Sequence, residues 1–249
     1  DVPPDRNTLL FSATMPAEIQ NIAKKYMRTP VEIVIGTRNA GAENVRHYSY
    51  TVHAKDKYLA LKRLADYYPN IYGIVFCRTR KETQEIADKL IHDGYNADSL
   101  HGDLSQDRRE QVLNKFRQGQ ITLMVATDVA ARGLDIAGVS HVFNYDVPAD
   151  AEDYVHRIGR TGRAGKKGIA ITLLTPKERG KLNQIQSYTR QPMVEFSLPS
   201  VDAVKARREE RLIGRISEQL VVGVTPAERA LLDRMSAYGL SPVEVAVAA

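Results

Sequence analysis

Six short apolar runs alternate with helix-period stretches through the middle of this chain. The runs are Tyr48–Val52, Gly73–Cys77, Ala97–Leu100, Thr122–Ala126, Val139–Tyr145 and Ile169–Leu174. Between them lie the helical patterns Lys57–Tyr67, Lys81–His92, Gln106–Arg117 and Ala151–Ile158. Strands this apolar must be buried on both faces, and a sheet buried on both faces is a mostly parallel one flanked by helices. The expected fold is therefore doubly wound α/β, with ligands in loops at the carboxyl ends of strands.

Both flanks differ from this core. Thr8–Phe11 reads as a strand ending at Ser12-Ala13-Thr14, Pro16 opens a helix running to about Met27, and Val31–Ile35 reads as a second strand. The glycine-containing stretch Gly36–His47 reads as a linker. Beyond Leu174 no further strand is expected. Thr175-Pro176-Lys177-Glu178, Thr225-Pro226-Ala227-Glu228 and Ser241-Pro242-Val243-Glu244 are instead three copies of one helix-start signal: a hydroxyl cap, a first-turn proline and a glutamate three residues after the cap. The expected segments are 1–36, 37–47 as linker, 48–195 as the α/β domain and 196–249 as a helical extension. The chain opens on Asp1 rather than Met, inside what reads as a domain, so it is expected to be a fragment.

Cys77 is the single cysteine, which excludes an internal disulfide or a multi-thiolate metal site; within Ile74–Cys77 it reads as a buried strand residue. No apolar run is long enough to span a bilayer, and the expected location is the cytoplasm. Charge is uneven. Between Tyr154 and Lys181, eight basic residues face Glu178 alone, while the whole chain carries a net +5. Scattered lysines would make an ordinary solvated face. Arginines interleaved with glycines in a non-periodic stretch favour a polyanion site.

Two strings carry most of the chemistry. In His156-Arg157-Ile158-Gly159-Arg160-Thr161-Gly162-Arg163, Arg160 and Arg163 both follow glycines. A glycine lets phosphate approach the backbone while the guanidinium supplies a two-pronged donor. Two such forks aimed at one place suit phosphoryl transfer, in which charge spreads over the moving oxygens. In Thr127-Asp128-Val129-Ala130-Ala131-Arg132-Gly133-Leu134-Asp135, the two carboxylates stand among small apolar residues and need partners, a ribose hydroxyl or an arginine. Taken singly, a Gly-Arg pair or a turn aspartate has a merely structural reading. Arg78-Thr79-Arg80, His101-Gly102-Asp103 and Gln106 with Arg109 add arginines, hydroxyls and helix starts at strand ends, where phosphate backbones bind.

In this order the strings resemble the DEAD-box family of ATP-dependent RNA helicases, over roughly Thr8 to Leu174. Ser12-Ala13-Thr14 looks like motif III, Ile74–Arg80 like motif IV, Gln106 with Arg109 like motif IVa, Thr127–Asp135 like motif V and His156–Arg163 like motif VI. The resemblance implies a RecA-like lobe. It implies that Gly133, Asp135, Arg160 and Arg163 bind ATP, with Asp135 on the ribose and the two arginines as fingers on the γ-phosphate. Arg78, Thr79, Gly102, Gln106, Arg109, Thr127 and Asp128 would form the RNA side, Asp128 by orienting one of these arginines. His156 would couple the site to Ser12 and Thr14.

No G-x-x-x-x-G-K-[S/T] and no Asp-Glu-Ala-Asp occurs in the chain. The phosphate loop and the Mg²⁺-holding acids are therefore expected upstream, and the fragment is expected to be inactive alone. The alternatives are a DNA helicase or translocase of the same superfamily and a non-catalytic RNA-binding α/β module. In the last segment, Val201, Val204, Leu212, Ile216 and Leu220, broadened by Ile213, recur at one-face helical spacing, and Leu231, Leu232, Met235 and Tyr238 form a second set. This stripe is expected to make a homodimer, as in the cold-shock-associated bacterial DEAD-box proteins that the tail resembles; the alternative is packing on its own domain.

Overall fold

The computed structural model describes residues 3, 5–12, 14, 15, 17–34, 44–68, 70–223, 225–239 and 241. Its elements in chain order are α1 (Ala17–Tyr26), β1 (Val45–Thr51), α2 (Lys57–Tyr67), β2 (Gly73–Phe76), α3 (Arg80–His92), β3 (Ala97–Leu100), α4 (Gln106–Arg117), β4 (Leu123–Ala126), α5 (Asp128–Ala131), β5 (His141–Asn144), α6 (Ala151–Ile158), β6 (Gly168–Leu174), α7 (Arg179–Thr189), β7 (Val194–Glu195), α8 (Val201–Val222) and α9 (Pro226–Ala237). They fall into two compact units, Asp1–Leu198 and Pro199–Ala249.

The first unit holds a seven-stranded sheet ordered β3-β4-β2-β5-β6-β1-β7, with every pairing parallel. Period-2 alternation divides its side chains between two faces. Val75, Cys77, Phe143 and Leu173 join Leu61, Leu64, Ile86 and Leu90 of α2 and α3 on one face. On the other, Ile74, Phe76 and Met124 pack with Phe116 of α4 and Ala130 and Ala131 of α5. Also on that face, Ala170 and Leu174 meet Tyr154 and Ile158 of α6 and Leu182 and Ile185 of α7. This is the doubly wound parallel architecture that the alternation predicts.

Helix starts follow from local hydrogen bonding. Thr79, Ser105, Thr127 and Asp150 have extended backbones, and their side-chain oxygens accept the amide three residues on, which caps α3, α4, α5 and α6. Thr175 and Thr225 form reciprocal capping boxes with Glu178 and Glu228, as the repeated helix-start signal predicts. Most of the third copy, 242–244, lies outside the described residues.

The flanks depart from the sequence reading. Thr8–Phe11 and residues 31–34 are not strands, and Leu9, Phe11, Val31 and Ile33 are exposed. A strand needs a neighbouring ladder, and none of the described residues pairs with either run. Pro16, Ile35 and most of the expected linker lie outside the described residues, while its last residues, Val45–His47, already belong to β1. Strands also continue past Leu174: β7 pairs with β1 at Tyr48↔Val194 and Ser49↔Glu195. The Phe196 ring seals this edge, T-shaped on Tyr48 at 5.1 Å.

One charge is buried between the two apolar clusters that share a face. Arg157 is 2% exposed. Its Nε and Nη2 donate to Asp128 Oδ1 and Oδ2 at 2.6 and 2.8 Å, and its Nη1 donates to the Asp146 carbonyl at 2.6 Å and to Asn144 Oδ1 at 3.2 Å. Asn144 in turn donates to Thr172 Oγ1 at 3.1 Å. The guanidinium also lies 5.2 Å from the centre of the Phe76 ring. This polar seam ties α6 to α5, to the end of β5 and, through Thr172, to β6.

Two consequences are measurable. Removing one partner of a buried, hydrogen-bonded charge pair costs about 3–5 kcal/mol, so Arg157→Leu should lower the urea-unfolding free energy of the chain by that amount. Arg157→Lys should recover only part of it, because an ammonium cannot fork; a loss under about 1 kcal/mol for Arg157→Leu would contradict the assignment. Separately, burial lowers His47 and His141 to about 4, the charge of Arg46 adding to the effect at His141. The unfolded chain then binds more protons between about 6.5 and 4, so their contribution is complete above 6.5 and is lost as pH falls through this window. Thermal midpoints should drop across it, and His47→Gln with His141→Gln should flatten the drop; an unchanged slope in the double variant would contradict this.

Candidate functional site

The parallel sheet places the ends of β2, β3, β4 and β5 along one edge. After β2, Arg78 has a half-exposed guanidinium 3.7 Å from Glu178, and Thr79 caps α3. After β3, His101 Nε2 bonds Gln84 Oε1 at 3.0 Å, which leaves His101 a structural role, and Gly102 is exposed in the turn that follows. In α4, Gln106 Nε2 donates to Glu110 at 2.9 Å, and Arg109 Nη2 donates to the Ala130 carbonyl at 2.7 Å, which pins it over α5. After β4, Thr127 caps α5, and both oxygens of Asp128 go to the buried Arg157, so Asp128 does not orient Arg78 or Arg109 as expected; those lie by Glu178 and on the Ala130 carbonyl. Arg78, Thr79, Gly102, Arg109 and Thr127 thus lie at the carboxyl edge, as expected for an α/β sheet. The edge combines two arginines with three capped helix starts, a donor-rich surface suited to a chain of phosphates.

The arginine string lies elsewhere. Helix α6 carries the chain away from that edge, so Thr161 Oγ1 donates to the Val139 carbonyl at 2.6 Å, ahead of β5. Gly162 stands beside the first residue of β1, with φ +68; a Cβ there would sit 2.7 Å from Val45 Cγ2, so only glycine fits. From this turn Arg163 Nη1 reaches Asp135 Oδ1 at 2.7 Å, and Arg160 Nη1 donates to the Leu134 carbonyl. Gly133, at φ +71, makes the turn that presents Leu134 and Asp135 to them. Two guanidiniums and a carboxylate that is 96% exposed are gathered on one open surface. Burial, then the neighbouring Arg163 charge, lowers the Arg160 pKa from its ordinary value, with Asp135 opposing.

His156 lies in a shallow pocket with Asp128, Arg132, Asp153 and Arg160. Ser12 and Thr14 bond one another, Ser12 Oγ donating to the Thr14 carbonyl, and among the described residues neither is hydrogen-bonded to His156. Also among the described residues, no three His, Cys, Asp or Glu side chains group to hold a metal.

Sequence reading passes over Asn144, Asp146 and Lys57 and counts Arg157 only toward a basic surface, yet these four residues carry the internal polar contacts behind both surfaces. For Arg157 a signal existed: it stands three residues after Tyr154 and beside Ile158, on the buried side of α6. Asp146 and Lys57 belong to none of the strings.

The family model described as helicase conserved C-terminal domain matches residues 56–165. The DEAD-box ATP-dependent RNA helicase CshA of Geobacillus kaustophilus is 49% identical over 201 residues, which is 81% of this chain and 43% of that protein. CshA of Bacillus subtilis is 45% identical, over 88% of this chain and 45% of that protein. The chain thus spans under half the length of these relatives. Among solved structures, the C-terminal domain of the DEAD-box protein Dbp5 is 33% identical with a TM-score of 0.60, covering 67% of this chain and 98% of that one. Saccharomyces cerevisiae Dbp5 bound to RNA and ADP BeF3 is 31% identical with a TM-score of 0.76, covering 84% of this chain and 56% of that one. An all-parallel sheet with motifs IV to VI on its edges, and relatives matched at these levels, show that the chain belongs to the DEAD-box helicase family, as a C-terminal RecA-like lobe.

Proposed function

We propose that this chain is the second lobe of a cytoplasmic, ATP-dependent RNA helicase that remodels RNA duplexes, supplying arginine fingers and half of the RNA track. The observation that carries the reading is the Arg160–Arg163–Asp135 cluster: a ribose acceptor and two phosphate forks on one open surface. Asp135 takes the ribose hydroxyls, and Arg160 and Arg163 neutralise charge developing on the γ-phosphoryl oxygens. With Asp135 almost fully exposed, its pairing with Arg163 is a weak surface contact. It exchanges readily for ribose and phosphate partners.

On the carboxyl edge, Arg78, Thr79, Gly102, Gln106, Arg109 and Thr127 grip RNA phosphates. Such contacts position a strand without reading bases. Asp128 acts indirectly, through Arg157. The phosphate-binding loop and the Mg²⁺ ligands belong to the first lobe, since the chain contains neither sequence motif. His156 couples the lobes through Ser12 and Thr14 once they close. A DNA translocase would share the phosphate contacts; the relatives, named as RNA helicases, favour RNA.

The helical extension is assigned to homodimerisation. Leu212, Ile213 and Ile216 of α8 and Leu231 of α9 are exposed, the pattern of an apolar face awaiting a partner. Val201 is exposed and Val204 buried, while the side chains of Leu220 and Leu232 lie outside those described.

In the full-length protein, Arg163→Ala should reduce ATP turnover by about 10³–10⁵ with ATP binding largely kept. Arg160→Ala should match it, and the double variant should be no slower than either single one if the two act as a unit. Retention of more than about a tenth of wild-type turnover would reject the finger assignment. The chain alone should release no phosphate from ATP with or without RNA and should scatter light as a dimer at tens of micromolar. RNA-stimulated release would refute the first expectation, and a monomeric mass the second.

A further inference from the structure

Asp146, two residues beyond β5, is held from three directions. Its Oδ2 accepts the Arg78 backbone N–H at 3.0 Å, and its Oδ1 accepts from Lys57 Nζ at 3.2 Å. Its main-chain carbonyl accepts from Arg157 Nη1 at 2.6 Å. Lys57, itself buried at the start of α2, also lies 3.8 Å from Glu178, and Glu178 lies 3.7 Å from the Arg78 guanidinium. Arg78 is therefore held at its backbone by Asp146 and only loosely approached at its side chain by Glu178, with one buried ammonium between the two carboxylates.

Nothing in packing alone requires this arrangement. Burying an ammonium and a carboxylate is costly, and apolar residues of similar volume stabilise such sites as well or better. What the charges provide is direction. The Arg78–Thr79 turn is drawn against the Lys57–Asp146 pair, while its guanidinium remains half exposed. Burial works to raise the Asp146 pKa, but hydrogen bonds from Glu82, Lys57 and the Arg78 amide outweigh it and hold Asp146 below the ordinary carboxylate range. Burial, then the contact with Asp146, raises the Glu82 pKa from its ordinary value, which favours the negative charge on Asp146, the residue facing Arg78.

We infer that Asp146, backed by Lys57, is a positioning residue for the RNA track, fixing the Arg78–Thr79 turn while its carbonyl anchors Arg157 at the base of the finger-bearing helix. This rests on the proposed reading of Arg78 as an RNA contact. Asp146 touches neither RNA nor nucleotide and acts through the turn that it holds.

The test uses the full-length helicase and single-stranded RNA. Asp146→Asn should raise the RNA concentration for half-maximal ATPase stimulation about tenfold, leaving the unstimulated rate and the KM for ATP within about twofold; tenfold is 1.4 kcal/mol of lost positioning. In an Arg78→Ala background the same change should raise it less than about threefold, because the contact is already gone. If Asp146→Asn fails to fold with Lys57 left unpaired, Lys57→Met with Asp146→Asn carries the same comparison. An unchanged RNA requirement, an equal factor in both backgrounds, a matching loss without RNA, or failure of both variants to fold would each overturn the inference. Arg78→Ala leaving the RNA requirement unchanged would overturn the reading of Arg78 itself, and is separable on that ground.

Discussion

A guanidinium taken out of water needs acceptors for its N–H groups, and Arg157 finds them on three residues, in α5, in β5 and in the turn after β5. Asp128 supplies a two-pronged carboxylate from the start of α5, Asn144 an amide oxygen from β5, and Asp146 a carbonyl just beyond β5. No one of these acceptors can move without stranding buried charge, a penalty far larger than that of any exposed ion pair nearby. Two surfaces depend on this. α5 carries Thr127 and supports Arg109, while α6 leads to Arg160 and Arg163. The residue that touches neither proposed ligand therefore fixes the distance between both sets that do.

Much of the first unit was legible because its local and global signals agree. Lys57–Tyr67, Gln106–Arg117 and Ala151–Ile158 form as helices with the boundaries that their periodicity predicts, and Ala97–Leu100 as a strand. Agreement ends where a residue's environment is set by something distant. β1 begins at Val45, ahead of the apolar run, because its ladder with β6 starts at Val45↔Gly168, and His47 on it is buried against the Tyr154 hydroxyl at 2.7 Å, a partner 107 positions away. β7 is two residues long and has no period to detect. Thr8–Phe11 and Val31–Val34 have the composition of strands, but composition supplies no ladder partner.

The site divides along the same line. Glycine-flanked arginines and hydroxyl caps at strand ends announce themselves because their chemistry is local. Position along the sheet was less legible. The carboxyl-edge rule holds for Arg78, Gly102 and Thr127, whereas Arg160 and Arg163 lie past the far end of α6, on a turn whose Thr161 and Gly162 sit beside the first residues of β1 and β6. Arg157 reads in the sequence as one of eight basic residues on a polyanion surface; its burial emerges only when α6 packs its Tyr154 and Ile158 against the sheet. Lys57, Asp146 and Glu178 are spread over 122 positions and meet only in three dimensions.

The central claim is that these two surfaces serve one reaction, ATP hydrolysis linked to RNA. The most direct measurement is phosphate release by the full-length protein at saturating ATP, with no nucleic acid, with single-stranded RNA and with single-stranded DNA of the same sequence. The account predicts a low basal rate that RNA raises and DNA does not. A rate indifferent to RNA, or raised equally by DNA, would contradict it.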